Sequence, residues 1–229
     1  MLASYALADE STPTSAIRVL VVDDHDLFRT GLASYLGKQP GIEVVAQASG
    51  GRTGVRLAIE LRPDVVLMDL RMPDLEGFEA TRAILKARPA TRVMALSVAA
   101  DDADVETALH AGACAFVVKD SPVDDVVAAV RAAASGSTWL SPRAADAVLG
   151  RMRRTDLEGD ASPDTLEPLS ARERDVLRLI ARGLENAEIG QELGISPRTA
   201  KNHVSRILAK LGLPNRIQAA IYAVRNELD

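Results

Sequence analysis

Between Ile17 and Gly136 five short, β-branched apolar runs alternate with five stretches whose apolar residues recur at helical spacing. This alternation constrains the fold more than any other feature of the chain. The runs are "IRVLVV", "IEVVAQA", "DVVLMD", "TRVMALS" and "AFVVK"; the helical stretches are "LFRTGLASYL", "TGVRLAIELR", "GFEATRAILKAR", "DVETALHAG" and "PVDDVVAAVRAAASG". Strands that each hand over to a helix must pair in parallel, because the helix is the crossover. A parallel sheet carries helices on both faces, so its central strands are apolar throughout, as they are here. Pro122 opens the last helix and Gly136 closes it. The expected fold of residues 17–136 is therefore an α/β domain with a parallel five-stranded sheet.

The chain continues differently. Residues 137–168 lose periodicity: "STWLSPRAADAVLGRMRR" has room for one short helix, and "TDLEGDASPDTLEP" reads as an acidic linker. Residues 169–229 are purely helical in pattern. Ser170 followed by Glu173 has capping-box spacing, Gly183 stops that helix, and "NAEIGQELG" is a short second helix. Ser196 is the predicted N-cap of a third helix, Pro197 its first residue and Gly212 its terminator; Asn215 caps a fourth. Residues 1–16 contain two acids and no basic start, and read as a disordered tail rather than a signal peptide.

Composition narrows the classes. Aromatics are 3% of residues, so the core must be built from Val, Leu, Ile and Ala. The single cysteine, Cys114, sits in the apolar "GACAFVVK" and reads as buried packing in a reducing compartment. No apolar run approaches a membrane span. The net charge of −5 divides into +3 from Leu169 onward and −8 before it, which makes the helical end the candidate for nucleic acid.

In an open α/β sheet, sites form at the carboxyl ends of the strands. The first strand ends in Asp23-Asp24, the third in Asp69, the fourth in Ser97 and the fifth in Lys119. With strand order 2-1-3-4-5 the first and third strands are neighbours, and three carboxylates converge. Their mutual repulsion is relieved by a divalent cation, and Mg²⁺ suits a site of oxygen ligands that leaves it several waters. Such an edge suits phosphoryl transfer onto Asp69, with Lys119 and Ser97 on the phosphoryl oxygens. Taken one at a time, these residues also read as a helix cap, a turn residue and a solvated strand end. His25, directly after the acid pair, reads as a loop or helix-start residue rather than a ligand.

The set Asp23-Asp24, Asp69 within "LMDLRMPDLEGFEA", Ser97 and "AFVVKDSP" with Lys119 resembles the receiver domain of bacterial two-component response regulators. The resemblance implies a flavodoxin-like fold, Asp69 as phosphoacceptor, Asp23, Asp24 and Asp69 as Mg²⁺ ligands, and Phe116 as a switch aromatic. Ser97 replaces a commoner Thr, keeping the hydroxyl, and Ala115 stands where relatives often have Gly. "LSARERDVLRLIARG", "NAEIGQELGIS", "RTAKNHVSRILAKLG" and "NRIQAAIYA" resemble the LuxR-type helix-turn-helix domain. That implies a scaffold helix at 187–193 and a recognition helix at 198–211. Arg198, Thr199, Lys201, Asn202, Ser205 and Arg206 would face DNA, and a last helix carrying Ala219, Ala220 and Ala223 would be the dimerisation element. His203, on the recognition helix, could contact phosphate or cap packing.

Together the two resemblances imply the NarL/FixJ architecture: a cytoplasmic, phosphorylation-controlled transcription factor, not an enzyme. Its expected partners are double-stranded DNA, a sensor histidine kinase, a second copy of itself and RNA polymerase; no membrane is expected. One rival is a phosphatase or mutase with an Asp nucleophile, but the haloacid-dehalogenase type needs an acid two residues later, where this chain has Arg71. The other is a binding module that works without phosphate.

Overall fold

The computed structural model describes residues 16–98, 101–142, 144–146, 169–226 and 228. Residues 1–15 of the expected tail (1–16), and residues 143 and 147–168 of the expected linker (137–168), lie outside them. Five β-α units follow one another: β1 (Ile17–Val22), α1 (Asp26–Leu36), β2 (Ile42–Ala48), α2 (Gly51–Leu61), β3 (Val65–Asp69), α3 (Gly77–Ala87), β4 (Arg92–Ser97), α4 (Asp102–Ala111), β5 (Ala115–Val118) and α5 (Val123–Ser135). A sixth strand, β6 (Trp139–Leu140), adds itself parallel to β5, so the order is β2-β1-β3-β4-β5-β6. The stretch after Gly136, expected to hold only a helix, thus begins as an edge strand. Two residues are too few to show a period of two in a sequence. Helical residues at 142 and 144–146 follow it.

Side chains of β1 alternate between the two faces, as a strand requires. Val19 and Val21 pack with Leu32, Leu36, Val126 and Val130 under α1 and α5; Leu20 and Val22 pack with Ala58, Ala80 and Ile84 under α2 and α3. Gly112 and Gly136 close α4 and α5 at φ 106° and 89°, in the left-handed region that glycine adopts without strain. Asp74, the last residue of "LMDLRMPD", reaches back to α2: its carboxylate accepts from Gly51 N at 2.9 Å and Arg52 N at 3.0 Å. The N-cap of that helix is Gly50, which has no side chain to do this itself.

The helical end has α6 (Ala171–Ala181), α7 (Asn186–Leu193), α8 (Pro197–Lys210) and α9 (Arg216–Arg225) around a core of Val176, Leu177, Ile180, Ile189, Val204 and Ile207. The Ser170–Glu173 capping box forms as its spacing predicts: Ser170 N donates to Glu173 Oε2 at 2.8 Å, and Glu173 N to Ser170 Oγ at 3.2 Å. The Ser170 N–H and then the Lys210 ammonium, 3.0 Å away, lower the Glu173 carboxyl to about 2. Ser196 and Asn215 cap α8 and α9 through Thr199 N and Gln218 N. The turn between α7 and α8 is tight: a Cβ on Gly190 would lie 2.7 Å from the Ile195 carbonyl oxygen.

Candidate functional site

Sheet register assembles the strand-end residues. Val22 pairs with Met68, so Asp23, one residue on, stands beside Asp69. Asp69 pairs with Leu96 and Ser97 with Val118, so Ser97 and Lys119 follow in steps along the same edge. Lys119 N donates to the Ser97 carbonyl at 2.7 Å, which fixes its main chain. Its ammonium lies 2.7 Å from Asp23 Oδ2 and 2.8 Å from Asp69 Oδ2. Asp23 and Asp69 are buried, Ser97 is buried, and Asp24 is partly exposed. Around them, His25 N donates to Asp23 Oδ1, Arg71 N to Asp69 Oδ1, and the Arg29 guanidinium to the Asp23 carbonyl.

The electrostatics follow from this crowding. Burial pushes the Asp69 carboxyl up from its ordinary value; Lys119 pulls it down and the Asp23 charge pushes it up again, with a net rise. Burial alone would lower the Lys119 ammonium, but the Asp23 and Asp69 carboxylates prevail and raise it. Asp23 Oδ2 is buried and met by the Lys119 ammonium alone, and Asp24 Oδ1 is buried with His25 Nδ1, 2.9 Å away, as its only close polar neighbour. Three carboxylates this close, balanced by a single ammonium, leave negative charge that a further cation would offset. Oxygens of Asp23, Asp24 and Asp69 and a nitrogen of His25 lie within 4.8 Å of one another. The donor set fits a hard divalent cation such as Mg²⁺, whose preference is for the three carboxylates over the imidazole. His25, 67% exposed in its side chain, is the N-cap of α1 and sits beside Asp24 rather than inside the carboxylate edge.

Two further residues shape the site without any local pattern that marks them in the sequence. A Cβ on Gly77 would lie 1.9 Å from the Asp69 carbonyl oxygen, so only glycine lets α3 start against the end of β3. Phe28 of α1 places its ring 5.0 Å from the Lys119 ammonium.

The six residues expected to face DNA, Arg198, Thr199, Lys201, Asn202, Ser205 and Arg206, are all exposed on α8, while Ala200, Val204 and Ile207 are buried beneath them. Thr199 Oγ1 is 2.8 Å from Ser196 Oγ, and the Ser205 hydroxyl donates to the Lys201 carbonyl. His203 is partly buried and its Nδ1 has no hydrogen-bond partner. Ala219 and Ala223 of α9, expected in a dimer contact, are fully buried in the domain's own core. Their small side chains let α9 approach its neighbours, while Ala220, named with them, is only partly buried.

The two halves touch. Asn215 Nδ2 donates to the carbonyls of Leu109 at 2.7 Å and Ala113 at 3.1 Å; Asn186 Nδ2 donates to Ser135 O at 3.1 Å, and Lys201 Nζ to Ala134 O at 3.3 Å. Ile217 and Ile221 of α9 join the cluster that surrounds the fully buried Phe116, with Leu70, Val105, Ala108 and Leu109.

Residues 19–131 match the response regulator receiver domain, and residues 167–223 match the bacterial regulatory proteins of the luxR family. The transcriptional regulatory protein LiaR of Bacillus subtilis (strain 168) is 44% identical over 212 residues, spanning 93% of this chain and 99% of LiaR. The chain is a LuxR-type two-component response regulator. The response regulator VraR of Staphylococcus aureus (strain Mu3 / ATCC 700698) is 39% identical over 212 residues, spanning 93% of this regulator and 98% of VraR. The crystal structure of ChrA, a response regulator of a heme-sensing two-component system, is 34% identical at a TM-score of 0.51, with 94% and 100% of the two chains covered. The family is one of DNA-binding transcriptional regulators, not enzymes, so the phosphatase and mutase alternatives fall. The strand order is that of the flavodoxin-like fold. No described helix is long and apolar enough to cross a membrane.

Proposed function

We propose that this regulator is a cytoplasmic transcription factor whose grip on double-stranded DNA is set by phosphorylation of Asp69. The observation that carries the reading is the Lys119 ammonium held between the buried carboxylates of Asp23 and Asp69 at the strand ends. An Asp69 oxygen attacks the phosphorus of a phosphohistidine on a sensor kinase, or of a small acyl phosphate. The bond from phosphorus to the donor breaks as the acyl phosphate on Asp69 forms. Lys119 is within reach of one phosphoryl oxygen, and the Ser97 hydroxyl is the donor for another. Asp23, Asp24 and Asp69 would hold Mg²⁺, which supplies charge neutralisation for the phosphoryl oxygens. Asp23→Asn and Asp24→Asn should weaken Mg²⁺ binding, since each removes an anionic oxygen. Lys119→Ala should bind Mg²⁺ at least as tightly, since the ammonium is a rival cation for Asp23 and Asp69. Metal titrations on the three variants test this; equal weakening in all three sinks the division of roles.

Phosphorylation draws Ser97 toward the phosphoryl group and opens space for Phe116. Phe116 shares its cluster with Ile217 and Ile221 of the DNA-binding half, so its movement loosens the seat of α9. Release frees Lys201 from Ala134 O and detaches α8 from the receiver half so that it can enter the major groove, and the freed regulator binds DNA as a homodimer, with RNA polymerase as a further partner.

Asn202 lies in the first turns of α8, where base edges are within reach, and Arg206 further along. Asn202→Ala should cost about 1–3 kcal/mol on a cognate duplex and little on random DNA. Arg206→Ala should weaken both alike and lower the salt slope by about one unit. Salt-dependent binding to cognate and scrambled duplexes distinguishes the two; the reverse pattern would mean a different docking of α8.

A further inference from the structure

Lys119 raises a mechanical problem. A lysine ammonium rides on a flexible four-carbon stem, and its head is strongly hydrated. Here the head must stay at the strand edge both before phosphorylation, when Asp23 and Asp69 hold it, and after, when it must serve a phosphoryl oxygen. Its side chain is only 10% exposed, so water supplies little of its coordination. The third neighbour of the ammonium is not a carboxylate or a carbonyl but the ring of Phe28, 5.0 Å from Nζ to the ring centroid. That is inside the range of a cation–π contact, which strengthens as the cation loses water.

The ring is itself held. Phe28 is partly buried and packs against the core under α1 and α5. Tyr35, two helical turns further along α1, donates its hydroxyl to Asp124 at the start of α5 at 2.7 Å. Residues seven apart share a helix face, so one stripe of α1 grips the fifth β-α unit twice: at the lysine that ends β5 and at the first turn of α5.

We propose that Phe28 is a positioning residue for the phosphoryl site, holding the Lys119 ammonium through its ring face while the anion in front of it changes. The idea rests on the reading of Asp69, Lys119 and the carboxylate edge given above. The chemistry favours a ring over another acid. A ring face attracts the ammonium without accepting one of its hydrogen bonds, so all three N–H groups remain available to the carboxylates and then to the phosphoryl group. A third carboxylate would compete with the phosphoryl oxygens and add negative charge where the phosphoryl group must enter.

The test changes the ring's electronics and leaves its shape nearly alone. Phe28 is replaced site-specifically in the full-length chain by 4-fluoro-, 3,5-difluoro- and 3,4,5-trifluorophenylalanine, which progressively drain negative potential from the ring face. Binding of beryllofluoride with Mg²⁺ is measured by calorimetry, and melting temperature on the same samples. The expected result is a stepwise fall in beryllofluoride affinity with each fluorine, about five- to tenfold in all, at unchanged melting temperature. Phe28→Trp should bind as well as wild type or better, and Phe28→Leu as weakly as the trifluoro form. Affinity that stays flat across the fluorine series, or that merely follows melting temperature, overturns the proposal and leaves Phe28 as packing. If wild type takes up no beryllofluoride, or Asp69→Asn takes up as much, the phosphoryl site itself is wrong and the proposal falls with it.

Discussion

Asp69→Asn should abolish phosphorylation outright. Wild type, given acetyl phosphate and Mg²⁺, should show one phosphoryl adduct by intact mass, and the variant none. The substitution keeps the shape of the side chain and an acceptor for Arg71 N, so the loss reports the missing anionic nucleophile and not a collapsed loop. Stability should move the other way. Asp69 has a carboxyl raised by burial, so the folded state holds its proton more tightly than the unfolded chain does. The sign is then fixed: the ionised group costs stability, the cost is absent below the ordinary carboxylate range, and it grows as pH rises through the raised value. Asn carries no such cost, so at neutral pH without metal the variant should melt a few degrees higher than wild type. An adduct that persists in Asp69→Asn would place the acceptor elsewhere, and a lower melting temperature would mean that Lys119 stabilises the Asp69 carboxylate more than burial disfavours it.

Asn215→Asp should turn the unphosphorylated regulator into a DNA binder. Asn215 does two things with one side chain: its oxygen caps α9 through Gln218 N, and its nitrogen donates to the carbonyls of Leu109 and Ala113 across the contact between the halves. Aspartate keeps the first and reverses the second. It is a good N-cap, and its charge suits a helix N-terminus. But it sets a buried carboxylate against two carbonyl oxygens at a position only 1% exposed. Two buried hydrogen bonds lost cost about 1–3 kcal/mol each, and the stranded charge adds to that. Since 1.4 kcal/mol is tenfold, a loss of about 2–6 kcal/mol should raise the affinity of the unphosphorylated chain for a cognate duplex by at least about 30-fold, up to the affinity of the fully released DNA-binding half. Measuring it in an Asp69→Asn background removes any contribution from phosphorylation, and small-angle scattering should show a more extended particle. Unchanged affinity and dimensions would show that the docking of Asn215 does not hold the two halves together.

Much of this molecule is legible in its sequence, because the signals concerned are local. Alternation of apolar runs with helical spacing determines a parallel sheet, since a helix between strands leaves no other pairing. Caps announce themselves within four residues: Ser170 with Glu173, Ser196 before Pro197, Asn215 before Arg216. The strand-end residues Asp23, Asp24, Asp69, Ser97 and Lys119 could be named because strand ends in such a sheet share one edge. Local signals fade where elements are short or serve distant partners. The two-residue β6 has no period to read. Gly77 looks like any helix-start glycine until the Asp69 carbonyl is seen against it. Asp74 has no local signal for its role, which is to accept from the first N–H groups of α2, 22 and 23 residues back in the chain. The family resemblance implies a contact face at Ala219, Ala220 and Ala223, but only packing shows that Ala219 and Ala223 are buried within their own domain while Ala220 is partly buried.

What the sequence by itself determined, then, is the order of elements, the sheet they form and the residues that could meet at its edge; spacing and polarity carry that information along a single strand or helix. Only the tertiary structure decided that the Lys119 ammonium sits between Asp23 and Asp69 with the Phe28 ring beside it, and that Asn215, Lys201 and Ile217 are turned toward the receiver half. Those facts depend on pairs up to 106 residues apart, as Leu109 and Asn215 are. A distance across the fold is set by how all the intervening elements pack, and no window along the chain contains it.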